Sequence, residues 1–417
     1  MIIKKLTVKD FRGIRNLELS FSSNLTVIVG RNGAGKTTIL DAIATMLQPI
    51  RMLFPNTQGK PQYRQPALTK EDIRFDADDC FLRLEYRLGE TEISSPDVVE
   101  IRYSELGRQP SNPTLAKLWE RAQNSSLELT ERPLFVYYHQ DRGFKNKTTS
   151  TDVFNYDILQ ETSLQADLKA INDLEVWWDK LDAQEARQVR DKEPKFRDPQ
   201  LQAVRKLIRS IDSFSDISFS STASQPGLFL TKKDGTLVHV DKLSSGERSY
   251  IILLADLARR LQVTAPNSPL NEIPGVVLID EVELNLHPAW QSEILTTLRK
   301  TFANCQFIVT THSPQVISAV KSEDVRILSA SENGTMTAGL PLSTKGRTSN
   351  YLLEGIFGSS ERYPPLDLLI DEFNDAIDAA DLAAASQLFL KISNQIEGHP
   401  PDLIVLKKRL KKLEASK

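Results

Sequence analysis

Cysteine is nearly absent from this chain: among 417 residues only Cys80 and Cys305 occur, far apart and with no CxxC pair. That excludes a cysteine-built zinc site or a disulfide framework and fits a reducing compartment. Long hydrophobic runs are missing too, since none approaches the roughly 20 apolar residues of a membrane span. The opening MIIKKLTVKDF alternates like a strand and lacks the apolar stretch and cleavage site of a signal peptide. A cytoplasmic protein with no membrane partner is therefore expected. Neither sign of charge is in surplus, with 52 Lys and Arg against 55 Asp and Glu. A strongly basic nucleic-acid binder is excluded, while a local basic groove stays open. Internal repeats and low-complexity tracts are absent. What is present is ordinary globular material, long enough at about 150 residues per domain for two or three domains.

The patterning is of mixed α/β type. Residues 2–8 and 16–21 alternate as a hairpin, and residues 25–29 are a continuous apolar run of the buried-strand kind. A helix-like ILDAIATMLQ follows, then a Pro/Gln/Thr-rich loop over 50–70. Residues 80–88 and 98–103 predict antiparallel strands, and 134–138 another, ending at His139-Gln140. From 157 to 212 the pattern is helical and charged, and 214–240 returns to strands around the turn Lys233-Asp-Gly. Residues 275–279 and 306–310 are buried-type strands bracketing a helix near 288–303. The last fifty residues predict three short helices, parted near Ala380-Asp381 and Gly398.

Chemistry enters at Gly30-Arg31-Asn32-Gly33-Ala34-Gly35-Lys36-Thr37-Thr38, a complete Walker A motif between a strand and a helix. Its glycines let backbone N–H groups turn inward around a phosphate, and the helix N-terminus adds its positive end. Lys36 is expected to reach the β- and γ-phosphates of ATP, and the Thr37 hydroxyl to ligate Mg²⁺. Residues 276–281 read as Walker B, with Asp280 organising the metal and Glu281 activating water as general base. His312, ending an apolar strand in Thr310-Thr-His-Ser-Pro, is placed to sense the γ-phosphate.

Leu243-Ser244-Ser245-Gly246-Glu247, ahead of an apolar helix, resembles the ABC-ATPase signature, although the same residues make an N-cap. Leu284-Asn285-Leu-His287-Pro288 resembles a D-loop, with His287 serving either packing or an intersubunit contact. Taken in order over residues 1–330, these motifs resemble ABC-type ATPases of the SMC/RecF branch. The resemblance implies an α/β fold: an ABC-type P-loop ATPase head with an antiparallel β-subdomain, a helical lobe and a short C-terminal helical appendage. Expected boundaries are 1–150 for the first lobe, 151–240 for the helical lobe and following strands, 241–345 for the second ATPase lobe, and 346–417 for the appendage. It also implies a head-to-head dimer or higher homo-oligomer, in which Ser244, Ser245, Gly246 and Glu247 of one copy complete the ATP site of another. Arg12, in the turn Phe11-Arg12-Gly13, would lie against the nucleotide. Gln140 is the candidate Q-loop residue that reads Mg²⁺, a surface glutamine being the alternative.

Two departures narrow the resemblance. Residues 157–212 are too short, and too free of sustained heptads, for the long coiled coil of SMC proteins. Beyond His312 neither a Toprim nor an HNH nuclease is apparent. The acids of 367–381 alternate with Leu369, Ile370, Phe373 and Ile377 at helical spacing, as a solvated helix face does. A coil-less head with a helical tail is similar to the PtuA family of Septu and retron-associated anti-phage systems, on residues 133–138 followed by Arg142 and on the tail helix 371–379. That resemblance implies a separate HNH nuclease subunit as partner, with DNA or RNA admitted in the assembled complex. The rival readings are a RecF-like repair ATPase that clamps DNA itself, and a scaffold holding ATP as a structural cofactor. The tail, with Lys407-Lys-Arg-Leu-Lys-Lys at its end, is expected to mediate assembly.

Overall fold

Among the described residues thirteen strands alternate with helices, as the patterning predicts. In chain order they begin with β1 (Ile2–Phe11), β2 (Ile14–Ser20), β3 (Leu25–Gly30), helix α1 (Lys36–Ile50), β4 (Asp79–Arg87), β5 (Asp97–Ser104) and β6 (Leu134–Tyr138). Helices α2 (Ala170–Asp191) and α3 (Pro199–Arg209) precede β7 (Phe214–Ser220), β8 (Gly227–Lys232) and β9 (Leu237–His239). Then come α4 (Ser245–Thr264), β10 (Gly275–Ile279), α5 (Pro288–Thr301), β11 (Cys305–Thr310), α6 (Pro314–Ser318), β12 (Val325–Ala330) and β13 (Met336–Gly339). This is a computed structural model, and it describes residues 1–51, 54, 68–88, 96–104, 120, 133–140, 170–191, 194–221, 225–331, 333–358, 364–396, 398 and 400–415. Arg142, most of the 50–70 loop and the start of the helical stretch at 157 lie outside the described residues.

The chain divides into two compact units, Met1–Arg347 and Thr348–Lys417. In the first, a six-stranded sheet runs in the order β13-β12-β3-β11-β10-β6. Every neighbouring pair is parallel except β12 with β13. Strands β3, β6, β10 and β11 are buried along their whole length, which is why they read as mostly apolar runs rather than alternating ones. The antiparallel sheet β2-β1-β4-β5 behaves otherwise. Only alternate residues of β4 are buried, so its sequence alternates. Helix α1 packs against strands of both sheets and buries Ile39, Leu40, Ile43, Met46 and Leu47 in their common core. A helix covered on both sides must be apolar nearly all round, as this one is.

The signature helix α4 is anchored by charge. Asp256 is fully buried; Arg259 donates to its Oδ1 at 2.7 and 3.0 Å, and Arg260 donates to its Oδ2 at 2.6 Å. Tyr138, the last residue of β6, donates its hydroxyl to the same carboxylate at 2.9 Å. Burial alone would raise the Asp256 pKa, but Arg260 and Arg259 outweigh it and hold the group below its ordinary value. Removing one member strands the others in low dielectric. Asp256→Ala should therefore cost about 3–5 kcal/mol, read as a shift in the urea midpoint, because two buried guanidinium groups lose the carboxylate they share, Asp173 lying farther off at 4.0 Å from Arg259.

The second unit opens with a helix Ser349–Leu352 and a π turn Leu353–Phe357, followed by α7 (Pro364–Asp378), α8 (Leu382–Gln395) and α9 (Pro401–Ala415). Ile370, Phe373, Ala385, Ile392, Leu403, Leu406 and Leu410 form its core. Asp371, Glu372 and Asp375 are left on the exposed side of α7.

Candidate nucleotide site

Four adjacent parallel strands, β3, β11, β10 and β6, end on the same edge of the sheet. Their carboxyl ends release residues 30–38, 310–312, 280–281 and 139–140. Motifs spread over almost three hundred positions meet because parallel strands point their ends the same way, the usual place for a ligand in an open α/β sheet.

The loop after β3 turns through Gly33 and Gly35, whose φ angles of 78° and 74° lie in the left-handed region that glycine adopts without strain. Gly35 caps α1 from that conformation. Lys36 is buried, and its Nζ donates at 3.1 Å to the carbonyls of Gly30 and Arg31 inside the loop. Burial lowers its pKa, offset in part by Asp280, Glu281 and Glu283. The ammonium thus sits folded into the cradle that a phosphate would fill.

Asp280 joins the ends of β10 and β11 to the start of α1. Thr37 donates its hydroxyl to Asp280 Oδ2 at 2.8 Å, and Thr310 donates to Oδ1 at 2.5 Å. The Thr310 oxygen in turn accepts the N–H of Glu281 at 2.8 Å. Glu281 itself has φ 45°, a left-handed backbone that a side-chain-bearing residue adopts only when its surroundings impose it. Gln140 hydrogen-bonds the Glu281 side chain, which brings the β6 end to the Walker B carboxylate. Burial, then Glu283 and Asp280, raise the Glu281 pKa, and the Gln140 bond partly reverses this. His312 donates its backbone N–H to Glu283 Oε1 at 2.6 Å. Its imidazole pKa is lowered, first by burial and then by Lys36.

The donor set suits Mg²⁺. Thr37 and Asp280 offer hard oxygens 2.8 Å apart, and Glu283 Oε2 nearby is buried with no hydrogen-bond partner among the described residues. A small divalent ion held by one or two protein oxygens, with phosphate and water supplying the rest, matches such a site.

Arg12, expected against the nucleotide, has its protein contacts in two carboxylates. It adopts φ 50° and donates to Asp72 at 2.9 Å and to Asp41 on α1. Asp41 also accepts the Tyr137 hydroxyl at 3.0 Å. The guanidinium is thus tied between β1 and α1 by two carboxylates.

The signature residues form a separate cluster. Ser244 caps α4 in a reciprocal capping box with Glu247, its hydroxyl accepting the Glu247 N–H at 3.2 Å while Glu247 accepts the Ser244 N–H at 3.0 Å. Lys232 pairs with Glu247 at 2.9 Å. Glu247 is therefore committed to the cap and to Lys232. Ser245 is exposed, and Gly246 lies so close to the D-loop that a Cβ there would meet Asn285 O at 2.9 Å. His287 caps α5, its Nδ1 accepting the Ala289 N–H at 3.3 Å, and stands edge-on to Trp290.

Two residues beside the Walker B acids are invisible to sequence patterning. Thr310 lies inside the motif that ends in His312, but nothing in its spacing marks it as the hinge between Asp280 and Glu281. Glu283 follows Glu281 by two positions, an ordinary acidic turn until β11 brings His312 to it.

If Glu281 acts as base it must be ionised, so its raised pKa moves the acid limb of the hydrolysis profile above the ordinary glutamate range. Gln140→Ala removes a bond that lowers that pKa and should move the limb further up. A pH–rate profile at saturating ATP checks both; an acid limb unmoved by Gln140→Ala would contradict the assignment.

Residues 25–318 match the family described as "AAA domain, putative AbiEii toxin, Type IV TA system". The chain is 27% identical to the "Retron Ec83 probable ATPase" of Escherichia coli, over 98% of this chain and 86% of that one. It is 28% identical to the "Retron Vc95 probable ATPase" of Vibrio cholerae, over 78% and 73%. With the "Septu protein PtuA" of Bacillus thuringiensis it shares 25% identity, over 96% and 95%.

Proposed function

From the premise that this chain belongs to that AAA-domain family and is a defence-associated ATPase, we propose that ATP closes two copies head to head and that hydrolysis reopens them. One observation carries the reading: Lys36, Thr37, Asp280, Glu281 and Gln140 converge at one sheet edge, while Ser244 bonds Glu247 and Gly246 packs on the loop 285–287. A helix N-terminus that opens with the exposed residues Ser244 and Ser245 suits a phosphate brought by another molecule.

In this reading Lys36 leaves the carbonyls of Gly30 and Arg31 for the β- and γ-phosphates. Thr37 and Asp280 would hold Mg²⁺, which would neutralise phosphate charge. Glu281 accepts the proton of the attacking water, and Gln140 keeps its carboxylate oriented. His312, held in place through its own backbone N–H, faces the γ-phosphate as a neutral imidazole. Ser244, Ser245 and Gly246 of the second copy close over the same phosphate. The cycle gates a separate HNH-type nuclease in defence against phage, a step supported by the resemblance to PtuA proteins.

The test is protection of a host from phage by the chain together with a neighbouring HNH-nuclease gene. Lys36→Ala should abolish protection, and so should deletion of the nuclease gene. Full protection by the chain alone would sink the nuclease part of the reading and leave the ATPase part standing.

A further inference from the structure

The C-terminal unit separates its charges by helix. Helix α7 carries Asp367, Asp371, Glu372, Asp375 and Asp378 and no Lys or Arg, whereas α9 carries Lys407, Lys408, Arg409, Lys411 and Lys412 against Asp402 and Glu414. Each helix spends its apolar stripe on the shared core: Ile370 and Phe373 from α7, and Leu403, Leu406 and Leu410 from α9. Arg409 ties the two helices together through Asn374 and Asp378. Their charged faces are thereby held outward.

Both outward faces also hold aliphatic side chains that the unit's own core does not use. On α7, Leu368 is 64% exposed; at 100° per residue Asp371, Glu372 and Asp375 fall within about 60° of it. On α9, Ile404 and Val405 are 49% and 55% exposed, and Lys407, Lys408, Lys411 and Lys412 surround them by the same count. An apolar anchor ringed by like charge is a poor solvent face. Asp371 with Asp375, Lys407 with Lys411, and Lys408 with Lys412 each repel at i,i+4 spacing. Each face is the chemical complement of the other, and within one unit they cannot meet.

We propose that the C-terminal unit pairs with that of a second copy, the acidic α7 face of each lying on the basic α9 face of the other. A two-fold axis makes both contacts at once and closes the assembly. Leu368 of one copy then packs on Ile404 and Val405 of the other, and each acidic ring meets a lysine ring. This deepens the expectation that the tail mediates assembly by naming its partner, and it is independent of head closure because it needs no nucleotide.

Sedimentation of the full chain without nucleotide tests it. The wild type should self-associate, and molar salt should weaken that association. A variant with Lys407, Lys408, Lys411 and Lys412 all changed to Glu, and a second with Asp371→Lys, Glu372→Lys and Asp375→Lys, should each associate at least about tenfold more weakly. Mixed one to one they should recover association to within about threefold of wild type, since each then offers the face the other lacks. Lys→Gln at the same four α9 positions, which keeps helix propensity, should weaken association in the same direction. The proposal is overturned if the glutamine variant associates like wild type, or if natively helical charge-reversed partners stay apart when mixed. Loss of co-eluting DNA or RNA in the α9 variants with self-association unchanged would assign that face to nucleic acid instead. ATP-induced dimerisation, followed in the same samples, reports on the heads separately.

Discussion

Glu281→Gln should slow ATP turnover by about 10²–10⁴-fold, the range a positioned general base supplies, while ATP binding survives. The substitution keeps the shape and the hydrogen bond to Gln140 but removes the proton acceptor. It also removes a half-buried charge that lies close to Glu283 and Asp280; burial and those two carboxylates are the causes of its raised pKa. The nucleotide-bound state should therefore be easier to populate, and the variant should accumulate as an ATP-locked dimer. Phosphate release at saturating ATP measures the first effect, and sedimentation with and without ATP the second. Hydrolysis within a few-fold of wild type would remove Glu281 from the role of base and point to another group among Glu283, His312 and Asp280.

A larger recovery is expected from two dead variants. Lys36→Ala removes the phosphate-binding ammonium. Ser245→Glu places a carboxylate at the exposed start of α4, where it repels a γ-phosphate. The helix N-terminus tolerates an acid there, so the fold is retained. Each variant alone should be nearly inactive. Mixed in equal amounts, random pairing makes half the dimers mixed, and each mixed dimer holds one intact site and one doubly damaged one. Activity should return to about a quarter of wild type if the sites are independent. A mixture no more active than the sum of its parts would mean that each chain completes its own site, and the head-to-head reading would fail.

Much of the fold and of the site is legible in the linear order of residues. The strand after which the phosphate loop begins and the strand ending in Asp280-Glu281 announce themselves as apolar runs because both of their faces are covered. The antiparallel strands near 80–88 alternate because one of their faces is not. Helix α7 is readable from Leu369, Ile370, Phe373 and Ile377 alone, since local periodicity reports which side of a helix meets a core. Where a residue's partner lies far along the chain, periodicity is silent. Asp256 reads as one acid in an apolar helix, yet it anchors Arg259, Arg260 and Tyr138. The family resemblance implies a nucleotide contact for Arg12, and the structure adds what the linear order does not show, its hydrogen bonds to Asp41 and Asp72. Asp41 and Asp72 lie 29 and 60 positions from Arg12, too far along the chain for periodicity to pair them with it.

The phosphate loop, the Walker B acids, the order of the motifs and the helical tail are written in the chain itself, because each depends on residues adjacent in sequence or spaced by one turn or one pleat. Packing in three dimensions is what makes Thr310 bridge Asp280 to Glu281, brings Gln140 to Glu281, and requires glycine at 246 against Asn285. Those contacts span residues brought together by parallel strands whose register depends on the whole sheet.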